Sequence, residues 1–158
     1  KALRLIKFVP FAAILLTAFC SLAIETNSQP TMFKAGIGTF RKYAYQIQVK
    51  EGVLLYSKNG RGEKTEIKIT PTPEKWIEFR RELDRIGVWQ WRGKYDEPLT
   101  IDGTDWFLLI GYSDAHIRTG GSNNYPDDKG KSSERSTKSF EQYVTAIGEL
   151  IRERELDK

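Results

Sequence analysis

A chain of 158 residues has room for one domain of ordinary size, and about 130 of them remain for a two-layer core once the apolar N-terminal stretch is set aside. The formal charge of +4 does not amount to a nucleic-acid-binding field. Lys1, Arg4 and Lys7 precede the first acidic residue, Glu25, and from Ile24 onward 22 basic residues face 21 acidic ones. The single cysteine, Cys20, excludes a disulfide framework within the chain and a cysteine-based zinc site.

The first element in chain order is Phe8–Ile24, 17 residues without a charge behind a basic flank. It is longer than the usual apolar core of a signal peptide, about 7–15 residues, and shorter than the roughly 20 that a membrane span wants. Ser21-Leu22-Ala23 supplies a small-x-small cleavage site. Phe19 directly before Cys20 fits a lipidation signal poorly. Residues 1–24 therefore read as a cleaved signal peptide or a retained transmembrane anchor. The basic flank stays in the cytoplasm, which places everything after Glu25 outside it. The expected locations are periplasmic or secreted after cleavage, or the membrane through Phe8–Ile24 without it. Residues 25–32, with Asn27-Ser28-Gln29-Pro30, read as a short linker, and residues 33–158 as one extracytoplasmic domain.

From Phe40 to Lys50 the chain alternates, with Tyr43, Tyr45, Ile47 and Val49 on one face, as in a half-buried strand. Glu51-Gly52 forms a two-residue turn into a second strand at Val53–Tyr56. After the turn Asn59-Gly60-Arg61-Gly62, Thr65, Ile67 and Ile69 alternate with Lys64, Glu66 and Lys68, giving a third strand. A helix follows: Thr72 suits its cap, Pro73 its first turn, and Glu74 the positive end of its dipole. Trp76, Phe79, Leu83 and Ile86 make its apolar stripe, and Gly87 stops it. Val88–Trp91 is short and aromatic and reads as an extra strand.

Thr104–Tyr112 is apolar on both faces and predicts a central strand. It returns through Ser113-Asp114 to a strand at His116–Arg118. Gly120 to Ser136 has no period and predicts a long exposed loop. From Lys138, Phe140, Tyr143, Val144, Ile147, Leu150 and Ile151 mark a second helix. The sum is an α+β fold: an antiparallel sheet of about five strands with two amphipathic helices packed on one face.

The chemistry on offer is sparse. His116 is the only histidine, so any histidine-based triad must include it, and no G-x-S-x-G frames a nucleophile. Asp96, Glu97, Asp102, Asp105 and Asp114 stand close in sequence to Trp89, Trp91, Tyr95, Trp106 and Tyr112. Paired carboxylates lined by aromatic rings serve glycosidases, but the same residues also build a saccharide platform or a sheet edge. Asp102, Asp105 and His116 are thus the catalytic candidates. Trp89, Trp91 and Tyr95, with Asn123, Asn124 and Tyr125 of the Gly120–Pro126 segment, are the binding candidates. Asp127-Asp128 lacks an ordered calcium loop, and the glycines lack the Lys-Ser/Thr ending of a phosphate loop. The reading is a non-catalytic extracytoplasmic binding or accessory-subunit domain. Its expected partner is a protein or cell-envelope component, with no cofactor, metal or nucleic acid. The alternative is a small glycan-directed hydrolase using carboxylates near Trp91 and Trp106.

Overall fold

The computed structural model describes residues 29–39, 42–59, 64–96 and 103–152. Phe8–Ile24, with its signal-or-anchor reading, lies outside the described residues. Among the described residues no helix is long and apolar enough to cross a membrane.

Seven strands form one mixed sheet: β1 (Met32–Thr39), β2 (Lys42–Lys50), β3 (Val53–Asn59), β4 (Lys64–Ile69), β5 (Tyr95–Asp96), β6 (Thr104–Gly111) and β7 (His116–Ser122). Their spatial order is β4-β3-β2-β1-β6-β7-β5. Every neighbouring pair is antiparallel except β5 and β7, which run parallel. The α+β class therefore holds, with a larger and mixed sheet in place of the five antiparallel strands expected. Among the described residues two helices, α1 (Pro73–Ile86) and α2 (Lys138–Ile151), and a two-stranded hairpin of β8 (Tyr125–Pro126) and β9 (Ser132–Ser133) accompany the sheet.

The local signals act as their chemistry dictates. Glu51 and Gly52 both take positive φ, 53° and 79°, the left-handed pair whose twist suits a two-residue hairpin, and Lys50 pairs with Val53 across it. The Thr72 hydroxyl accepts from the Lys75 N–H at the start of α1, and Gly87, at φ 75°, ends it by donating to the Leu83 and Asp84 carbonyls. The Thr137 hydroxyl caps α2 through the Phe140 N–H.

Several elements depart from the sequence reading. Val88–Gln90 is a turn of 3-10 helix, not a strand. Its first residue follows left-handed Gly87 directly, so the chain is still turning where it was read as extended. Although Phe33, Ala35 and Ile37 keep the two-residue period, the central strand β1 goes unpredicted because Gly36 and Gly38 are poor strand formers. Phe107 of β6 explains the first of these: a Cβ on Gly36 would sit 2.5 Å from the Phe107 ring, so the neighbouring aromatic covers the space that a side chain would fill.

Cross-strand register sorts the faces. Phe33, Ala35 and Ile37 of β1 stand beside Ile110, Leu108 and Trp106 of β6, and Ala35 and Ile37 also stand beside Ile47 and Tyr45 of β2. Both helices cover this face. Phe33 meets Trp76 and Phe79 of α1 at ring distances of 6.3 and 5.3 Å, and Trp106 meets Phe140 of α2 at 5.0 Å. The opposite face carries Lys34, Gln48, Lys68 and Arg118, all exposed. Each large apolar side chain sealed beneath the helices contributes about 1.5–3 kcal/mol.

Candidate functional site

The aromatic candidates divide sharply by depth. Trp91, Tyr95 and Trp106 are buried in one cluster with Phe140 and Tyr143 of α2. Trp91 meets Trp106 and Tyr143 edge-on, at 6.0 and 5.6 Å, and Tyr95 lies 5.8 Å from Trp106. Register makes this possible: Trp106, Gly121 and Tyr95 stand side by side on β6, β7 and β5. A Cβ on Gly121 would meet the Tyr95 carbonyl at 2.3 Å, so only glycine lets β5 approach here. The Tyr95 hydroxyl accepts from the Arg92 N–H and donates to the Gly130 carbonyl, both at 2.8 Å. Trp106 Nε1 donates to the Asn124 carbonyl at 2.9 Å. A partner reaches these rings only by opening the core. Trp91 Nε1 and the Tyr143 hydroxyl are buried with no hydrogen-bond partner among the described residues, and burial pushes the Tyr143 hydroxyl far above its ordinary pKa.

Trp89 keeps part of its ring at the surface and belongs to a bracket that ties α1 to the β6–β7 turn. The Arg80 guanidinium lies 5.0 Å from the Trp89 ring and 4.6 Å from the Tyr112 ring. It donates to both oxygens of Asp114, at 2.8 and 2.9 Å, and to Asp84 at 2.8 Å. Trp89 Nε1 donates to the same Asp84 oxygen at 2.7 Å. The hydrogen bond to Asp114 raises the Arg80 pKa and lowers that of Asp114.

Asn123 and Asn124 are built into the backbone framework. Asn123 takes φ 51°, its N–H donates to the Thr104 carbonyl at 3.0 Å, and its side-chain oxygen accepts from the Thr104 N–H at 2.8 Å. The Asn124 side-chain oxygen accepts from the Ser132 hydroxyl at 2.6 Å. The half-buried Tyr125 packs on Phe140 at 4.7 Å. Beyond them Asp127 accepts from the Lys131 and Lys129 N–H groups, at 2.7 and 2.8 Å, which holds its carboxyl below the ordinary value. The stretch read as one long loop thus contains the end of β7 and the β8–β9 hairpin.

Asp102 and Glu97 lie outside the described residues. Asp105 faces the open side of the sheet opposite Ser122, which pairs on its other flank with Asp96. These three share a shallow polar groove of about 360 Å³ with Lys94 and Arg118. Lys94 forms an ion pair with Asp96. The backbones of Asp96 and Asp105 are two strand spacings apart, about 9–10 Å. His116 stands opposite Gly111, six residues along β6 from Asp105, a separation of about 20 Å. The structure therefore does not bring His116 and Asp105 together. Among the described residues no group of three or more His, Cys, Asp or Glu side chains could hold a metal ion.

Sequence reasoning did not single out the apolar groove on the helix side of the sheet. It measures about 170 Å³ and lies between α2, through Val144, Ile147 and Ile151, and the strands, through Ile37, Tyr45, Ile47 and Tyr56. Tyr45 is 43% exposed and Val144 38%. Tyr45 and Tyr56 stack at 6.2 Å and 17°, and Lys58 Nζ lies 5.9 Å over the Tyr45 ring. Burial, then the neighbouring Tyr45, raises the Tyr56 pKa. The available signal was Val144, at the flank of the α2 stripe where an amphipathic helix meets solvent. A second cleft, about 470 Å³ between α1 and α2, has charged residues around an apolar floor of Phe79, Ala146 and Leu150, and Glu82 and Arg85 are paired there at 2.6 Å. Comparison of the chain with protein-family models and with curated proteins gives no match.

Proposed function

We propose that this chain is a non-catalytic, extracytoplasmic binding or accessory-subunit domain, directed out of the cytoplasm by Phe8–Ile24. The observation that carries the reading is the groove beside α2. Its lining is apolar, it is open to solvent, and exposed Tyr45 and Val144 stand at it on a chain of which 29% is charged. The partner that fits is a segment of an envelope protein presenting a short row of apolar side chains. A photo-crosslinking residue at Val144, in cells producing the full chain, should yield one discrete adduct that Ile147→Asp removes. The same residue at exposed Glu149, about 140° around α2 from Val144, should yield none. Equal labelling from both positions would overturn the groove as the docking surface. Fractionation with intact-mass measurement tests the location: a soluble form beginning near Ile24 marks cleavage, full-length chain in the membrane marks an anchor, and full-length chain in the cytosol overturns export.

The row Asp96–Ser122–Asp105 favours a second reading, a small glycan-directed hydrolase, because it sets two carboxylates on one face with backbones about 9–10 Å apart, close to the roughly 6.5–9.5 Å between the carboxyl groups of an inverting pair. Glycan turnover abolished by Asp105→Asn or Asp96→Asn would support it, and turnover unchanged in both variants would reject it.

A further inference from the structure

We infer that the chain self-associates through its edge strand, β4 pairing antiparallel with β4 of a second copy about a two-fold axis at Ile67. The inference does not rest on the groove proposal. It comes from three features of β4.

The first is position. β4 pairs with β3 along its whole length, from Leu54 opposite Ile69 to Asn59 opposite Lys64, and no strand lies on its other side among the described residues. A six-residue edge offers alternate backbone N–H and C=O groups to an added strand.

The second is charge pattern. A two-fold axis normal to the sheet keeps each side chain on its own face, so residues two apart face one another across it. With the axis at Glu66, Glu66 would oppose Glu66 and Lys64 would oppose Lys68, all like charges. With the axis at Ile67, Glu66 of each copy opposes Lys68 of the other, Ile67 opposes Ile67, and Thr65 opposes Ile69. This register pairs five residues per strand with no like charges directly opposed. Glu66 and Lys68 are both exposed on the open face, and the Glu66 carboxylate also accepts from the Ser57 hydroxyl at 3.4 Å. Charges on an edge usually deter pairing, but here their alternation is self-complementary.

The third is an apolar row that runs off the edge. Leu108, Ala35, Ile47, Tyr56 and Ile67 stand side by side across β6, β1, β2, β3 and β4 on the helix side. Leu108, Ala35 and Ile47 are buried, whereas the last member, Ile67, is 41% exposed. A second copy in this register extends the row through its own Ile67 and Tyr56 and covers both isoleucines.

Sedimentation of the full chain over a concentration series tests this, in detergent micelles if the chain is recovered with membranes. The wild type should show a monomer–dimer equilibrium. Glu66→Lys alone and Lys68→Glu alone each turn both cross-strand pairs into like charges and should weaken Kd by roughly tenfold or more. The double variant Glu66→Lys/Lys68→Glu restores opposite charges and should return Kd to near the wild-type value. Independently, Ile67→Cys in a Cys20→Ser background should give a disulfide-linked dimer under mild oxidation, and Gln48→Cys on the open face should not. A monomer at every concentration overturns the inference. A dimer indifferent to the single reversals, or not rescued by the double change, overturns this register.

Discussion

Trp106 and Tyr45 stand in one cross-strand row on one face of one sheet, separated only by Ile37, yet Trp106 is 2% exposed and Tyr45 43%. The difference lies in the cover. The first turns of α2 set Phe140 and Tyr143 over the Trp106 half of the sheet, and the β8–β9 hairpin closes beside it through Tyr125 on Phe140. Further along α2, Val144, Ile147 and Ile151 reach the β1–β2–β3 half without sealing it, which leaves the groove. One end of the sheet is therefore committed to stability, and the other keeps apolar surface that can be covered by a partner.

The largest break in that comparison is Trp106→Ala. It removes the ring on which Trp91, Tyr95 and Phe140 converge and should lower unfolding free energy by about 3–5 kcal/mol in a urea titration. A loss below about 1 kcal/mol would show that the cluster is not the keystone of the sealed half.

Two tyrosines in the sealed half should respond differently to loss of the hydroxyl. Tyr95→Phe deletes an acceptor for the Arg92 N–H and a donor to the Gly130 carbonyl, and should cost about 1–3 kcal/mol. Tyr143→Phe deletes a hydroxyl buried without a partner, and should be neutral or stabilising by up to about 1 kcal/mol. Equal losses in the two would mean that the Tyr143 hydroxyl is satisfied in solution. The smallest effect belongs to the open half. Ile67→Thr should change the stability of the dilute, monomeric chain by no more than about 0.5 kcal/mol, because its side chain already meets water.

The sites read from sequence followed the same division. Trp91 and Tyr95 were as visible in the sequence as Trp89, but an aromatic residue beside acidic ones carries no mark of whether its ring faces a core or a partner. Asn123 and Asn124 are binding candidates in the sequence, yet each side chain holds another segment in place, Thr104 and Ser132 respectively. The groove was missed because its walls, Tyr45 and Val144, come from elements about 100 residues apart in the chain.

What the sequence determined alone were the elements whose cause is local. Thr72 and Gly87 bound α1, the stripe from Phe140 to Ile151 makes α2, and Glu51-Gly52 turns a hairpin, because caps, helical period and a left-handed pair act within a few residues. What only the tertiary structure decided were the elements whose cause lies elsewhere in the chain. β1 tolerates Gly36 because Phe107 of another strand covers it, and β5 exists because Gly121 lets Tyr95 approach. Tyr45 remains at the surface because α2 seals the other end of its row, and exposure is a property of the covering element that no residue carries in its own neighbourhood.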